Sequence, residues 1–211
     1  YRSENPKLFI GFNRRFSKSV QFIKQKLVNT SANSINLRFS VPPLDRDHWT
    51  NIKEIGGGRI VGEAVHGIDL ACYLFDSLPQ SISASAPVDK TNNTVKDNQV
   101  FLNINFSNGS HASLQYFSEA NQILSKERLE VHGGGNSYIL EDFRMLRFLE
   151  GSLDRSKTFS SGKGHKESLG VFFDYVRDKS QNPFTWEEIK AVSKAAIIAQ
   201  NHINSGQQHR V

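Results

Sequence analysis

Glu63, His66 and Asp69 have the residue types and the spacing for proton chemistry. They lie in Gly56-Gly57-Gly58-Arg59-Ile60-Val61-Gly62-Glu63-Ala64-Val65-His66-Gly67-Ile68-Asp69-Leu70. On a helix, an interval of three sets neighbours on one side, winding slowly around the axis. An imidazole beside a carboxylate is a usual acid/base pair, because its unperturbed pKa lies near neutrality. The glycines ahead of them let the backbone approach a ligand closely where a helix begins. Taken alone, the same residues are more often a capping or core-edge histidine between solvated acids, so the context must decide.

The elements that would position these residues can be read from apolar period and punctuation. Leu8 to Phe12 is an apolar run of strand length, followed by Asn13-Arg14-Arg15. Ser17 is an expected N-cap for a helix to about Val28. Ile35 to Val41 alternates as a half-buried strand and ends at Pro42-Pro43. Leu44 to Gly58 has no period and reads as an ordered loop carrying His48 and Trp49. Ile60 to Phe75 is helical by pattern. Ile82 to Val88, Val100 to Phe106, His111 to Phe117, Arg128 to His132, Tyr138 to Leu140 and Arg144 to Leu149 read as strands. Asn108-Gly109 is a hairpin signal, and Gly133-Gly134-Gly135-Asn136 is a turn. Two helices close the chain. The first, about Lys166 to Lys179, is expected to turn Leu169, Phe172, Phe173 and Val176 inward. The second starts near Thr185, where Glu188 completes a capping box, and ends toward Gly206. This is an α+β plan: an open, mostly antiparallel mixed sheet with helices on one face.

Bulk properties narrow the function. The chain has 211 residues, 37% hydrophobic and 22% charged, which suits a packed domain. No apolar run nears the roughly 20 residues of a membrane span. The net charge is +5, but Lys and Arg are scattered, so nucleic-acid binding is not expected. Cys72 is the single cysteine, so no internal disulfide forms; it reads as a small core residue. A cytoplasmic setting is expected. Metal-ligand spacings such as H-E-x-x-H or C-x-x-C are absent, and so is a nucleophile elbow. The chain begins at Tyr1 with a polar stretch and is expected to be part of a longer polypeptide.

Several motifs occur in one order. These are Gly11-Phe12-Asn13-Arg14-Arg15-Phe16, then Asp47-His48-Trp49-Thr50, then the Gly-Gly-Gly-Arg…Glu…His…Asp segment. Asn105-Phe106-Ser107-Asn108-Gly109-Ser110 and Gly164-His165-Lys166-Glu167 follow. The series resembles the Gfo/Idh/MocA oxidoreductases over nearly the whole chain. It looks closest to the bi-domain subgroup, in which such a unit follows a zinc-alcohol-dehydrogenase-like region.

The resemblance implies an NAD- or NADP-binding Rossmann domain first, and then a C-terminal domain whose open sheet face makes a homodimer. Residues 1–30 would be the last strand and helix of that missing domain. Residues 31–211 would be the substrate-binding and dimerisation domain, and a carbohydrate-like substrate would lie between the two. No G-x-G-x-x-G and no Glu-Lys-Pro occur here, so no cofactor is expected on this chain itself. By resemblance, His66 matches the histidine that acts on the substrate hydroxyl or carbonyl, and Asp69 the acid one turn later. The usual aspartate four residues before the histidine falls on Gly62, with Glu63 beside it. Asn13 and Arg15 fall where the chain leaves the cofactor domain, for substrate binding or interdomain packing. His48 and Trp49 could stack on a sugar ring or anchor a surface. Arg59 and His165 complete the substrate-binding candidates, His165 being equally a structural helix start. The implied function is the substrate side of an NAD(P)-dependent dehydrogenase of sugars or polyols. The alternative is a non-catalytic carbohydrate- or sugar-nucleotide-binding and dimerisation module.

Overall fold

The period-two segments of the sequence pair into one sheet. The computed structural model describes residues 7–27, 32–43, 49, 53–89, 94–95, 98–121, 123–160 and 162–204. Its strands are β1 (Ser34–Ser40), β2 (Pro79–Ser85), β3 (Val88–Asp89), β4 (Thr94–Val95), β5 (Gln99–Phe106), β6 (His111–Phe117), β7 (Glu127–Gly133), β8 (Asn136–Glu141), β9 (Met145–Glu150) and β10 (Leu153–Thr158). Eight of them lie in the order β10-β9-β8-β7-β1-β6-β5-β2, while β3 and β4 pair only with each other. β1 runs parallel to β6 and antiparallel to β7, and the other pairs are antiparallel. The sheet is thus open, mixed and mostly antiparallel, as the pattern of elements predicts.

Each strand buries alternate residues. Ile35, Leu37 and Phe39 of β1, Val100, Leu102 and Ile104 of β5, and Ala112, Leu114 and Tyr116 of β6 face the core. Asn36, Arg38, Ser113, Gln115, Arg128 and Glu130 lie on the opposite, open face, where Arg128 donates to Glu130 at 2.7 Å and Glu141 at 2.5 Å. The β5–β6 hairpin turns where expected. Gly109 takes φ +83°, and Asn108 Oδ1 accepts a hydrogen bond from the Ser110 amide at 3.1 Å.

Helices cover the core face. They are α1 (Lys18–Lys26), α2 (Lys53–Gly56), α3 (Val65–Phe75), α4 (His165–Val176) and α5 (Trp186–Asn204). Val20 and Ile23 of α1, Ile68 and Leu70 of α3, and Val192 and Ala199 of α5 join the sheet in one core. Gly67 allows α3 to press onto the sheet, since a Cβ there would collide with Leu114 and Phe39. The reciprocal box at the head of α5 is formed: Thr185 N donates to Glu188 Oε2 at 2.9 Å, and Glu188 N to Thr185 Oγ1 at 3.1 Å.

Four local expectations change. Leu8 to Phe12 forms no strand, because no described strand lies beside it to supply a ladder. Phe9 packs instead on Phe16, Phe172 and Phe184. The helix expected from Ile60 opens as a π-helical turn over Ile60–Ala64, which changes the angular register between Glu63 and His66. β10 was not legible, since all six of its residues are exposed and no apolar period marks it. Finally, α4 does not turn its stripe inward. Leu169, Phe173 and Val176 are 56%, 50% and 41% exposed, and of the four residues expected inward only Phe172 is half-buried, against Phe9. The corner before the helix sets its rotation: Gly164 is pressed against Asn13 and Ser17 at φ +83°, so Ser168 faces inward instead.

Candidate active site

The Asn13–Phe16 segment forms a single 3-10 turn whose side chains point in different directions, and it organises the site. Arg14 reaches the head of β7. Its Nε donates to Glu127 Oε2 at 2.7 Å and its Nη2 to Glu127 Oε1 at 2.9 Å, a bidentate pair shielded from water. Lys163 closes on the same carboxylate. Asn13 holds that corner by donating from Nδ2 to the Lys163 carbonyl at 2.7 Å. His165 follows as the first residue of α4.

His66 lies within electrostatic reach of this cluster. Its ring meets Phe12 edge-on at 5.8 Å, and its buried Nδ1 makes no hydrogen bond to any described residue. Burial pushes the imidazole pKa down to about 4. Arg14, Lys163 and His165 add to the shift, and Glu127 opposes it. The ring is therefore neutral at pH 7, and with Nδ1 closed to solvent only its Nε2 side is left for a ligand to meet. For Glu127, burial alone would raise the pKa, but Arg14 and Lys163 hold the carboxyl below its ordinary range.

Glu63 has different neighbours. The buried Tyr116 hydroxyl donates to Glu63 Oε2 at 2.7 Å, and Arg59 Nη1 donates to Oε1 at 3.1 Å. Burial first, and the Glu63 carboxylate second, raise the Tyr116 pKa well above that of an ordinary phenol. Arg59 is buried, and its Nε makes no hydrogen bond to any described residue. The turn leading into this segment has Gly57 at φ +69° and Gly58 at φ +95°. Gly58 packs on the Gln200 side chain, which accepts from the Ile60 amide at 3.3 Å.

Asp69 and Arg15 form a third, separate group. Arg15 donates from Nη2 to Asp69 Oδ1 at 2.6 Å and from Nε to Oδ2 at 3.1 Å. The guanidinium also stacks over Phe184 and Tyr73, 4.6 and 5.2 Å from their ring centroids. Burial raises the Asp69 pKa to about 6, against the pull of Arg15. The buried Cys72 thiol, one turn on, is likewise raised by burial.

The fold thus sets His66 within electrostatic reach of the corner that carries Asn13, Lys163 and His165. It sets Glu63 with Arg59, and it ties Arg15 to Asp69 inside the core. Trp49 is exposed, and His48 lies outside the described residues. Arg14, Glu127, Lys163 and Tyr116 were missed from sequence. One signal was available: Glu127 shares the parity of Leu129 and Val131, which makes it an acid on the buried side of a strand. Among the described residues, no three His, Cys, Asp or Glu side chains are grouped to hold a metal ion, and no helix is long and apolar enough to cross a membrane.

A family model described as the GFO/IDH/MocA C-terminal domain matches residues 30–139, more than half of the chain. The chain belongs to this family. Solved structures carry the same fold as this Gfo/Idh/MocA domain. UDP-N-acetylglucosamine 3-dehydrogenase GnnA from Acidithiobacillus ferrooxidans is 14% identical with a TM-score of 0.77, over 95% of this chain and 63% of its own. Aldose-aldose oxidoreductase from Caulobacter crescentus, complexed with glycerol, is 14% identical with a TM-score of 0.78, over 97% and 64%. The dehydrogenase MviM from Clostridium difficile is 20% identical with a TM-score of 0.69, over 94% and 62%. The Gfo/Idh/MocA domain therefore spans less than two thirds of the length of each. No curated protein matches the chain.

Proposed function

We propose that this Gfo/Idh/MocA domain is the substrate side of an NAD(P)-dependent oxidoreductase acting on a sugar, polyol or sugar derivative. The observation that carries this reading is His66: a half-buried, neutral imidazole in the field of Arg14, Glu127, Lys163 and His165. A neutral ring can take a hydrogen bond, and then the proton, from a substrate hydroxyl. Glu63, held by Tyr116 and Arg59, is the second substrate-facing candidate. Asp69 supports α3 through Arg15, acting on the site by position.

The nicotinamide would supply the hydride chemistry. Among the described residues no strand–helix–parallel strand unit with a glycine-rich phosphate turn occurs, and Gly134 and Gly135 belong to the β7–β8 turn. The dinucleotide's cradle is assigned to a Rossmann domain preceding this chain; residues 1–30, proposed as the last strand and helix of that domain, pack here into the present core through Phe12, Val20, Ile23 and Leu27. A zinc-alcohol-dehydrogenase-like region further upstream rests on the sequence pattern alone. The open sheet face, polar with Phe101 and Met145 exposed, is proposed to pair two copies. A cytoplasmic location belongs to the same reading.

Steady-state kinetics of His66→Ala in the full-length parent test the assignment. Turnover should fall on the order of a hundredfold or more, the usual contribution of a positioned acid/base. Near-normal turnover would sink it.

A further inference from the structure

A groove runs between β2, the outermost strand of the sheet at one edge, and helix α5. Its volume is about 570 Å³, within the roughly 300–1,000 Å³ of small-molecule clefts. It shares no lining residue with the groups around His66, Glu63 or Asp69.

The shape of the groove follows from small residues. Positions 191 and 195 are one turn apart on α5, so they share a side of the helix, and both are alanine. Side chains that short leave a trough beside Pro79 and Ile82 of β2. Ile198 continues the trough with 44% of its surface exposed. From Ala191 to Ile198 the helix rises by roughly 10 Å. The floor is thus apolar and elongated, a form that suits a linear alkyl chain.

Charge stands on the rim. Lys190 and Lys194 are exposed, again one turn apart, and pair with no carboxylate among the described residues. Glu188, the acid of this helix that forms an ion pair, is engaged by Arg15 instead. Against the two lysines the groove sets only Glu187, which leaves a surplus of one positive charge. A monoanionic head neutralises that surplus, whereas a dianionic one would be repelled by Glu187.

A further peptide strand suits this edge less well. The pairing of β2 with β5 slips between Pro79 and Ser81. A bulge behind a proline blunts that part of the edge against another strand.

We propose that the groove between β2 and α5 binds a medium-chain aliphatic carboxylate, with its chain along Ile82, Ala191, Ala195 and Ile198 and its head at Lys190 and Lys194. The site is complete within the described residues and does not depend on the oxidoreductase reading.

Isothermal titration calorimetry of the 211-residue chain with decanoate, kept below its micelle-forming concentration, tests this. Saturable one-to-one binding is expected. Decanoate should bind more tightly than octanoate, since each fully buried methylene strengthens binding by roughly fourfold. Lys190→Ala/Lys194→Ala should weaken decanoate by about fivefold and leave decanol unaffected. Ala191→Phe, which fills the trough, should weaken both ligands. Circular dichroism checks the fold of each variant, and the lysine variant, changed only at exposed positions, decides if Ala191→Phe does not fold. Absence of saturable binding overturns the proposal. So does decanoate binding that survives loss of both lysines, or decanol bound by the unsubstituted chain as tightly as decanoate. Sedimentation with phosphatidylglycerol vesicles, without binding of free decanoate, would make the rim a contact for a lipid surface and overturn it equally.

Discussion

The Arg15 guanidinium and the Asp69 carboxylate, 54 positions apart in sequence, are joined by two hydrogen bonds at 2.6 and 3.1 Å in a region closed to solvent. Removing one partner strands the other charge in the core. Arg15→Met should destabilise the domain by about 3–5 kcal/mol, and an Arg15→Met/Asp69→Leu double variant by clearly less. Urea denaturation of both variants measures this. Equal losses would mean that the pair is not coupled.

Acid should act on stability through His66. This residue takes a proton near pH 6.5 when unfolded and only near 4 when folded. Between those values the unfolded chain binds more protons, so the stability contributed here is lost as pH falls from about 6.5 to 4. Asp69 runs the other way. Its raised folded pKa, about 6 against 3.8, adds stability as pH falls through the same window. A His66→Phe variant keeps only the second effect. Its Tm should rise relative to the unsubstituted protein between pH 6.5 and 4 by calorimetry; a constant offset would refute the assignment.

Two substitutions should move the His66 titration in opposite directions. Glu127→Gln removes the carboxylate that raises the imidazole pKa and should lower it further. Lys163→Met removes a cation and should raise it. Imidazole chemical shifts followed by NMR would read both. If both shift the same way, rearrangement and not direct electrostatics links these residues.

Gly164 and Gly109 separate backbone strain from collision. Both have φ +83°, yet a Cβ at 109 meets nothing within 4 Å, whereas at 164 it would lie 2.5 Å from Asn13 O and Ser17 N. Gly109→Ala should cost about 1 kcal/mol for conformation alone. Gly164→Ala should cost about 2–4 kcal/mol and displace the corner carrying Lys163 and His165. Similar losses for the two in thermal melts would argue against a tight corner.

Much of the fold was legible because it is coded locally. Alternation marks β1, β5 and β6, Asn108-Gly109 demands its turn, and Thr185 with Glu188 announces the start of α5; each depends on residues a few positions apart. His66 stood out for the same reason, by residue type within a short motif. The rest follows from strand order. β1 lies between β6 and β7, which brings Glu127 to Arg14 across 113 positions, and the clamp on Gly164 rotates α4 so that its stripe faces out. The i, i+3 spacing suggested one acid/base row, yet Glu63 went to Tyr116 and Asp69 to Arg15. Helical spacing sets only the direction in which a side chain leaves its own helix. What it meets there is decided by the elements packed against that helix, and a buried charge must find its partner among them.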